Sequence, residues 1–85
     1  MTYIAAFFSH FGATRFRRLC QEKHVSVELM PVPRAISSSC GTCARFSGFP
    51  LGDGETWPAE VEFVVEVPKD PADGAYVEVY RAPGA

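Results

Sequence analysis

The sequence predicts a single small α+β domain, a sheet of about four or five strands with one helix packed on one face. Three observations carry this. The chain has 85 residues, 47% hydrophobic and 21% charged, which is one ordinary globular domain whose burial is incomplete at this size. Apolar residues recur at helical spacing clearly in one stretch, residues 11–23. Elsewhere short alternating or apolar runs are separated by proline- and glycine-rich segments, the signature of strands.

Taken in order, Tyr3–Phe8 is a short apolar run closed by Ser9 and His10 and predicts a buried strand. Ser9 stands in N-cap position for the helix, where Ala13, Phe16, Leu19 and Cys20 form the apolar stripe and Arg15, Arg17, Arg18, Gln21 and Glu22 fall mostly outside it. Val25, Val27 and Leu29 alternate with Ser26 and Glu28, a second strand that stops at Pro31. Thr42–Phe46 predicts a third, and residues 48–54 a loop. Trp57, Ala59, Val61, Phe63, Val65 and Val67 share one parity against Glu60, Glu62 and Glu66, which predicts a strand. A helix starting at Thr56 is the competing reading, since Thr-x-Pro opens helices. Residues 68–74 predict a turn and Ala75–Arg81 a last strand, with Trp57, Phe63, Tyr76 and Tyr80 as core and rim of a hairpin. The domain is expected to span residues 1–81, with residues 82–85 a frayed tail.

Charge is divided unevenly. Residues 1–46 carry six Arg and Lys against Glu22 and Glu28, a net of +4; residues 47–85 carry Lys69 and Arg81 against eight acids, a net of −6. Arg15, Arg17 and Arg18 fit a solvated helix face, so no nucleic-acid partner is expected. No run approaches the ~20 apolar residues of a membrane span, and Tyr3–Phe8 is too short for a secretory signal. Three cysteines, an odd number, fit poorly with an exported disulfide framework, so the expected compartment is the cytoplasm, with no membrane partner.

The chemistry is concentrated in residues 31–43, which hold Pro31, Pro33, Arg34, the run Ser37, Ser38, Ser39, and a Cys-x-x-Cys pair, Cys40 and Cys43. The prolines fix φ and direct the chain out of the second strand. The serines offer hydroxyls and closely spaced N–H groups suited to an anion, and Gly41 permits a tight turn that leaves the Cys40 sulfur unshielded. All three thiols lie in the cationic half, which favours thiolate. If the helix crosses between two parallel strands, His10, the helix N-terminus and the Cys40 loop meet on one rim. There His10 can exchange the thiol proton, and Arg34, Ser39 and Gly41 favour the thiolate.

This order of strand, Ser-His, helix, strand, then Pro-x-Pro-Arg-Ala-Ile-Ser-Ser-Ser-Cys-Gly and an Ala-Arg-Phe tail resembles the small bacterial family known as putative Se/S carrier protein-like. The resemblance covers residues 3–46 and is specific over 31–41. It implies a ferredoxin-like-related fold with a second helix near residues 57–66, and a chalcogen-bearing cysteine at Cys40. Pro31, Pro33, Arg34 and Gly41 occupy the positions of its signature, while Cys43 stands where the family usually has a small non-thiol residue. The implied activity is a sulfur or selenium carrier, rather than a turnover enzyme. It would accept a persulfide or selenopersulfide on Cys40 from a cysteine desulfurase-like donor and relay it to an unknown acceptor, without a cofactor or metal.

For Cys43 three readings stay open: attack on a Cys40 persulfide that modulates its release, metal binding, or packing at a strand start. Cys20 lies on the helix stripe and fits the core; His24 fits a helix-capping or surface place. The rival functions are a non-catalytic partner-binding or regulatory domain, in which the acidic hairpin docks a basic partner, a Cys-x-x-Cys redox module, and a zinc module, for which one Cys-x-x-Cys supplies two of about four ligands. No carboxylate pair, Ser-His-Asp set or phosphate loop is present in the pattern.

Overall fold

The computed structural model describes residues 1–69 and 75–84. Its elements are β1 (Thr2–Phe7), α1 (His10–Glu22), β2 (Ser26–Pro31), β3 (Thr42–Ser47), β4 (Val61–Glu66) and β5 (Val77–Arg81). They form one five-stranded sheet in the order β2-β3-β1-β4-β5, with neighbours antiparallel throughout. This is the expected α+β domain with one helix. β1 and β2 are both antiparallel to β3 and hence parallel to each other, so α1 is a crossover with β3 inserted beneath it. No helix among the described residues is long and apolar enough to cross a membrane.

Ser9 enters α1 in extended geometry (φ −148°, ψ 162°) but makes no side-chain cap. The helix ends in a paired-carbonyl cap: Val25 N–H donates to Cys20 O (2.8 Å), and His24 N–H to Gln21 O (3.2 Å). This requires His24 to adopt φ 58°, a place usually taken by glycine or asparagine. His24 is therefore a capping residue. Phe16 and Cys20 are buried as the stripe predicts, whereas Leu19 is only partly covered.

The sheet is covered on both faces. Toward α1 lie Ala5, Phe7, Phe16, Ala44, Phe46, Val61 and Val64, with Trp57 and Tyr80 packed against them. Phe16 meets Phe46 edge-on at 5.1 Å, and Trp57 lies 6.2 Å from each of them. On the opposite face Ile4, Ala6, Cys43, Phe63 and Val65 form a second cluster, covered by Met30 of β2, by Val32 and Ile36 from the cysteine loop and by Val67 and Tyr76. The sequence pattern does not announce that second cover.

Of the strand expected over 57–67 only Val61–Glu66 forms; residues 58–61 make a turn, with Val61 N–H donating to Pro58 O (3.0 Å). Pro58 supplies no ladder N–H, which ends the strand there. The helix implied for 57–66 is not present: β-branched residues and alternation prevail. Two irregularities then break the stripe. Ala6 pairs with Phe63 but Phe7 pairs with Val61, leaving Glu62 as an extra residue that turns Val61 to the helix face. A second shift, between Val64 and Val65, puts Tyr80 on the helix side and Tyr76 on the other. The turn expected over 68–74 falls largely on residues 70–74, outside the described residues, as is Ala85 of the expected tail. Pairing continues one residue past β5, where Ala82 N–H donates to Glu62 O (2.9 Å).

Candidate functional site: the cysteine rim

The register places the rim. Pro31 ends β2 opposite Thr42, which opens β3; Cys43 lies beside Ala6; Phe7 ends β1 opposite Val61. His10 follows at the start of α1, and its Nδ1 lies 3.3 Å from Thr42 Oγ1. The 32–41 loop leaves and re-enters at this same edge, closed at its base by Val32 N–H donating to Gly41 O (3.1 Å). Within it, Ile36 N–H donates to Pro33 O (3.0 Å), a turn with exposed Arg34 and Ala35 at its centre. Proline's fixed φ and the partly buried Ile36, packed on the second cluster, restrict the path of the loop.

The serines hold the loop to the sheet. Ser38 Oγ shares its proton between Phe7 O (3.4 Å) and Glu62 Oε1 (3.1 Å), Ser39 N–H donates to Glu62 Oε1 (3.0 Å), and Ser39 Oγ donates to Glu62 Oε2 (3.1 Å). Cys40 N–H donates to Ser38 Oγ (3.3 Å). The donors expected to receive an outside anion are thus given to an internal carboxylate. Ser39 anchors the loop with both its donors and does not turn them toward Cys40. The sequence pattern marks Glu62 only as the polar parity of a strand. The signal that would have found it is three consecutive hydroxyls requiring an acceptor in a segment poor in carboxylates.

The three thiols occupy different surroundings. Cys20 is fully buried in the helix-facing cluster and Cys43 in the opposite one, and burial pushes each thiol up from 9.0 to about 11. Cys43 donates weakly to Pro31 O at 3.7 Å. Of the readings open for it, packing at the start of β3 is the one its place matches. Cys40 alone is partly exposed. Gly41 stands in open space, with no atom within 4 Å of where a Cβ would sit and no left-handed φ, so the chain turns there without using glycine's conformational freedom. Arg34 is exposed and makes no ion pair among the described residues.

The charge asymmetry folds back on itself. Arg15 pairs with Glu60 (2.8 Å) and Lys23 with Glu55 (3.1 Å), joining the cationic half to the acidic half. Among the described residues no group of three or more His, Cys, Asp and Glu is arranged to hold a metal. Cys20 and Cys43 lie on opposite faces of the sheet, and His24 is at the far end of α1 from the rim. A cavity of about 480 Å³ runs along α1 between Phe11, Leu19 and Pro58 and is lined by none of the thiols.

Residues 2–51 of the chain, more than half its length, match the family described as Putative Se/S carrier protein-like. The match takes in β1, α1, β2, the cysteine loop and β3, and stops before the turn that leads to Glu62. No curated protein and no solved structure matches the chain.

Proposed function

Because this chain belongs to the Putative Se/S carrier protein-like family, we propose that it is a sulfur or selenium carrier whose working residue is Cys40. The observation that carries the reading is the contrast among the thiols: Cys40 stands at the rim, while Cys20 and Cys43 are buried and held as thiols by that burial. Transfer requires a thiolate that can be reached. In the step, the Cys40 thiolate attacks the outer sulfur of a donor persulfide, R–S–S⁻. The donor S–S bond breaks, R–S⁻ leaves, and Cys40–S–S⁻ forms. Delivery to an acceptor thiolate is the same displacement in reverse, so no external oxidant or reductant is needed. His10, held against Thr42 through Nδ1, is the group beside the loop suited to take and return the thiol proton. Exposed Arg34 and the open N-terminus of α1 offset the negative charge of the loaded form. The donor is a cysteine desulfurase-like protein and the acceptor a second thiol protein.

Incubation with a cysteine desulfurase and cysteine, followed by peptide mass analysis, tests this. The chain should gain whole sulfur masses on the peptide containing Cys40, Cys40→Ser should abolish the gain, and Cys43→Ser should leave it intact. Loading on Cys43 in place of Cys40 would overturn the assignment. No loading from any desulfurase would leave the partner-binding reading in its place.

A further inference from the structure

We infer that Glu62 is the positioning residue of the Cys40 loop and that the site extends past the family-matched segment into β4. Glu62 lies outside residues 2–51, yet it accepts three hydrogen bonds from the two serines that precede Cys40. The connection reaches the cysteine itself. Ser38 Oγ accepts from the Cys40 N–H and passes its own proton toward Glu62. The carboxylate therefore fixes Cys40 through one intervening hydroxyl.

The backbone explains why this residue can reach. Glu62 is the extra residue of the β4 irregularity opposite Phe7, and such bulges re-aim a side chain at the end of a strand. Its main chain is tied down separately, since its carbonyl accepts from Ala82 N–H (2.9 Å). The carboxylate is anchored from behind while its two oxygens hold the loop. The neighbouring Glu60 does the same for the helix: its carbonyl accepts from Phe8 N–H (3.1 Å), and its carboxylate pairs with Arg15. Glu60 in the turn and Glu62 at the bulge thus tie α1 and the cysteine loop to one short segment. Charge-assisted acceptance of this kind is about twice as strong as neutral hydrogen bonding, and a planar carboxylate with three donors tolerates one orientation of the loop.

Glu62 also places a negative charge beside the rim. Its removal should release the loop and reduce repulsion of an incoming or developing anion at Cys40.

The test uses the intact chain with Glu62→Gln, which keeps size and removes the charge and one acceptor. Iodoacetamide alkylation of Cys40, read by peptide mass, should become about threefold faster or more, the scale of one partly screened charge together with a loosened loop. The Ser39 amide proton should move upfield as it loses its carboxylate partner. In a Ser38→Ala, Ser39→Ala background the effect of Glu62→Gln should be smaller, because both hydroxyl donors are gone and only the Ser39 N–H and the charge remain. A residue that merely stabilised β4 would give the same factor in both backgrounds. That result, or an unchanged Cys40 rate and Ser39 resonance, would overturn the inference. If Glu62→Gln does not fold, the double serine variant alone decides: faster alkylation supports the inference and an unchanged rate rejects it. The inference rests on the carrier reading only for its biological meaning. If the wild-type chain takes up no sulfur while Glu62→Gln still frees the loop, the carrier reading fails and the positioning role stands.

Discussion

The two faces of the sheet are built for different ends. The helix face is aromatic: Phe7, Phe16, Phe46 and Trp57 interlock with ring centroids 5.1–6.2 Å apart. The opposite face is made of smaller residues, Ile4, Ala6, Cys43 and Val65 with a single Phe63, and its cover includes the cysteine loop. One face holds the domain together through large buried side chains. The other fixes a loop through a modest apolar floor and a set of hydrogen bonds to one carboxylate. A domain of this size has little stability to spare, and the contrast shows how it divides labour: bulk behind the helix, geometry behind the thiol.

Phe16→Ala breaks the first side of this comparison most severely. It should remove about 3–5 kcal/mol of stability, measured by urea unfolding, while leaving the alkylation rate of Cys40 in the remaining native molecules unchanged.

Alkali probes both faces together, since each holds one buried thiol. Cys20 and Cys43 ionise near 11 in the folded chain, against 9.0 when exposed. Their contribution is fully present below pH 9 and is lost as pH rises from 9 through 11, because the unfolded chain gives up these protons first. The loss should approach about 3 kcal/mol per thiol, and Cys20→Ala should flatten the fall when unfolding is followed against pH.

Gly12→Ala acts at the seam between the helix and the Glu60 turn. The added Cβ would stand 2.6 Å from Glu60 Cβ, so the helix start or the turn must shift, at about 1–3 kcal/mol. Because the same turn leads to Glu62, this substitution should also change the Cys40 alkylation rate, unlike Phe16→Ala. On the loop face, Ile36→Ala should lower stability by only about 1–2 kcal/mol but speed proteolysis after Arg34 in the native state.

The sequence made the frame legible because periodicity reports directly on faces. The helix stripe, the alternation at Val25–Leu29 and the β-branched run at Val61–Val65 each corresponded to an element, and the run outweighed the helix implied by resemblance. Elements connected by a helical crossover had to bring His10 and the loop after Pro31 to one edge. What remained hidden depended on irregularity. The extra residue at Glu62 and the shift near Val79 change which face a side chain meets without changing composition. An alternation count cannot register them. The partner of Ser38 and Ser39 was therefore invisible, and so was the burial of Cys43, which follows from the loop folding over the second face. The cysteine spacing itself says nothing about which way each sulfur points.

The fold leaves one of three thiols partly exposed, and its availability for chemistry can be measured. Time-resolved iodoacetamide labelling of the native chain, with each cysteine followed separately by peptide mass, tests it most directly. The account predicts that Cys40 is modified first, with Cys20 and Cys43 reacting only as the protein unfolds, in urea or at strongly alkaline pH. Labelling of Cys43 at a rate matching Cys40 under native conditions would contradict it.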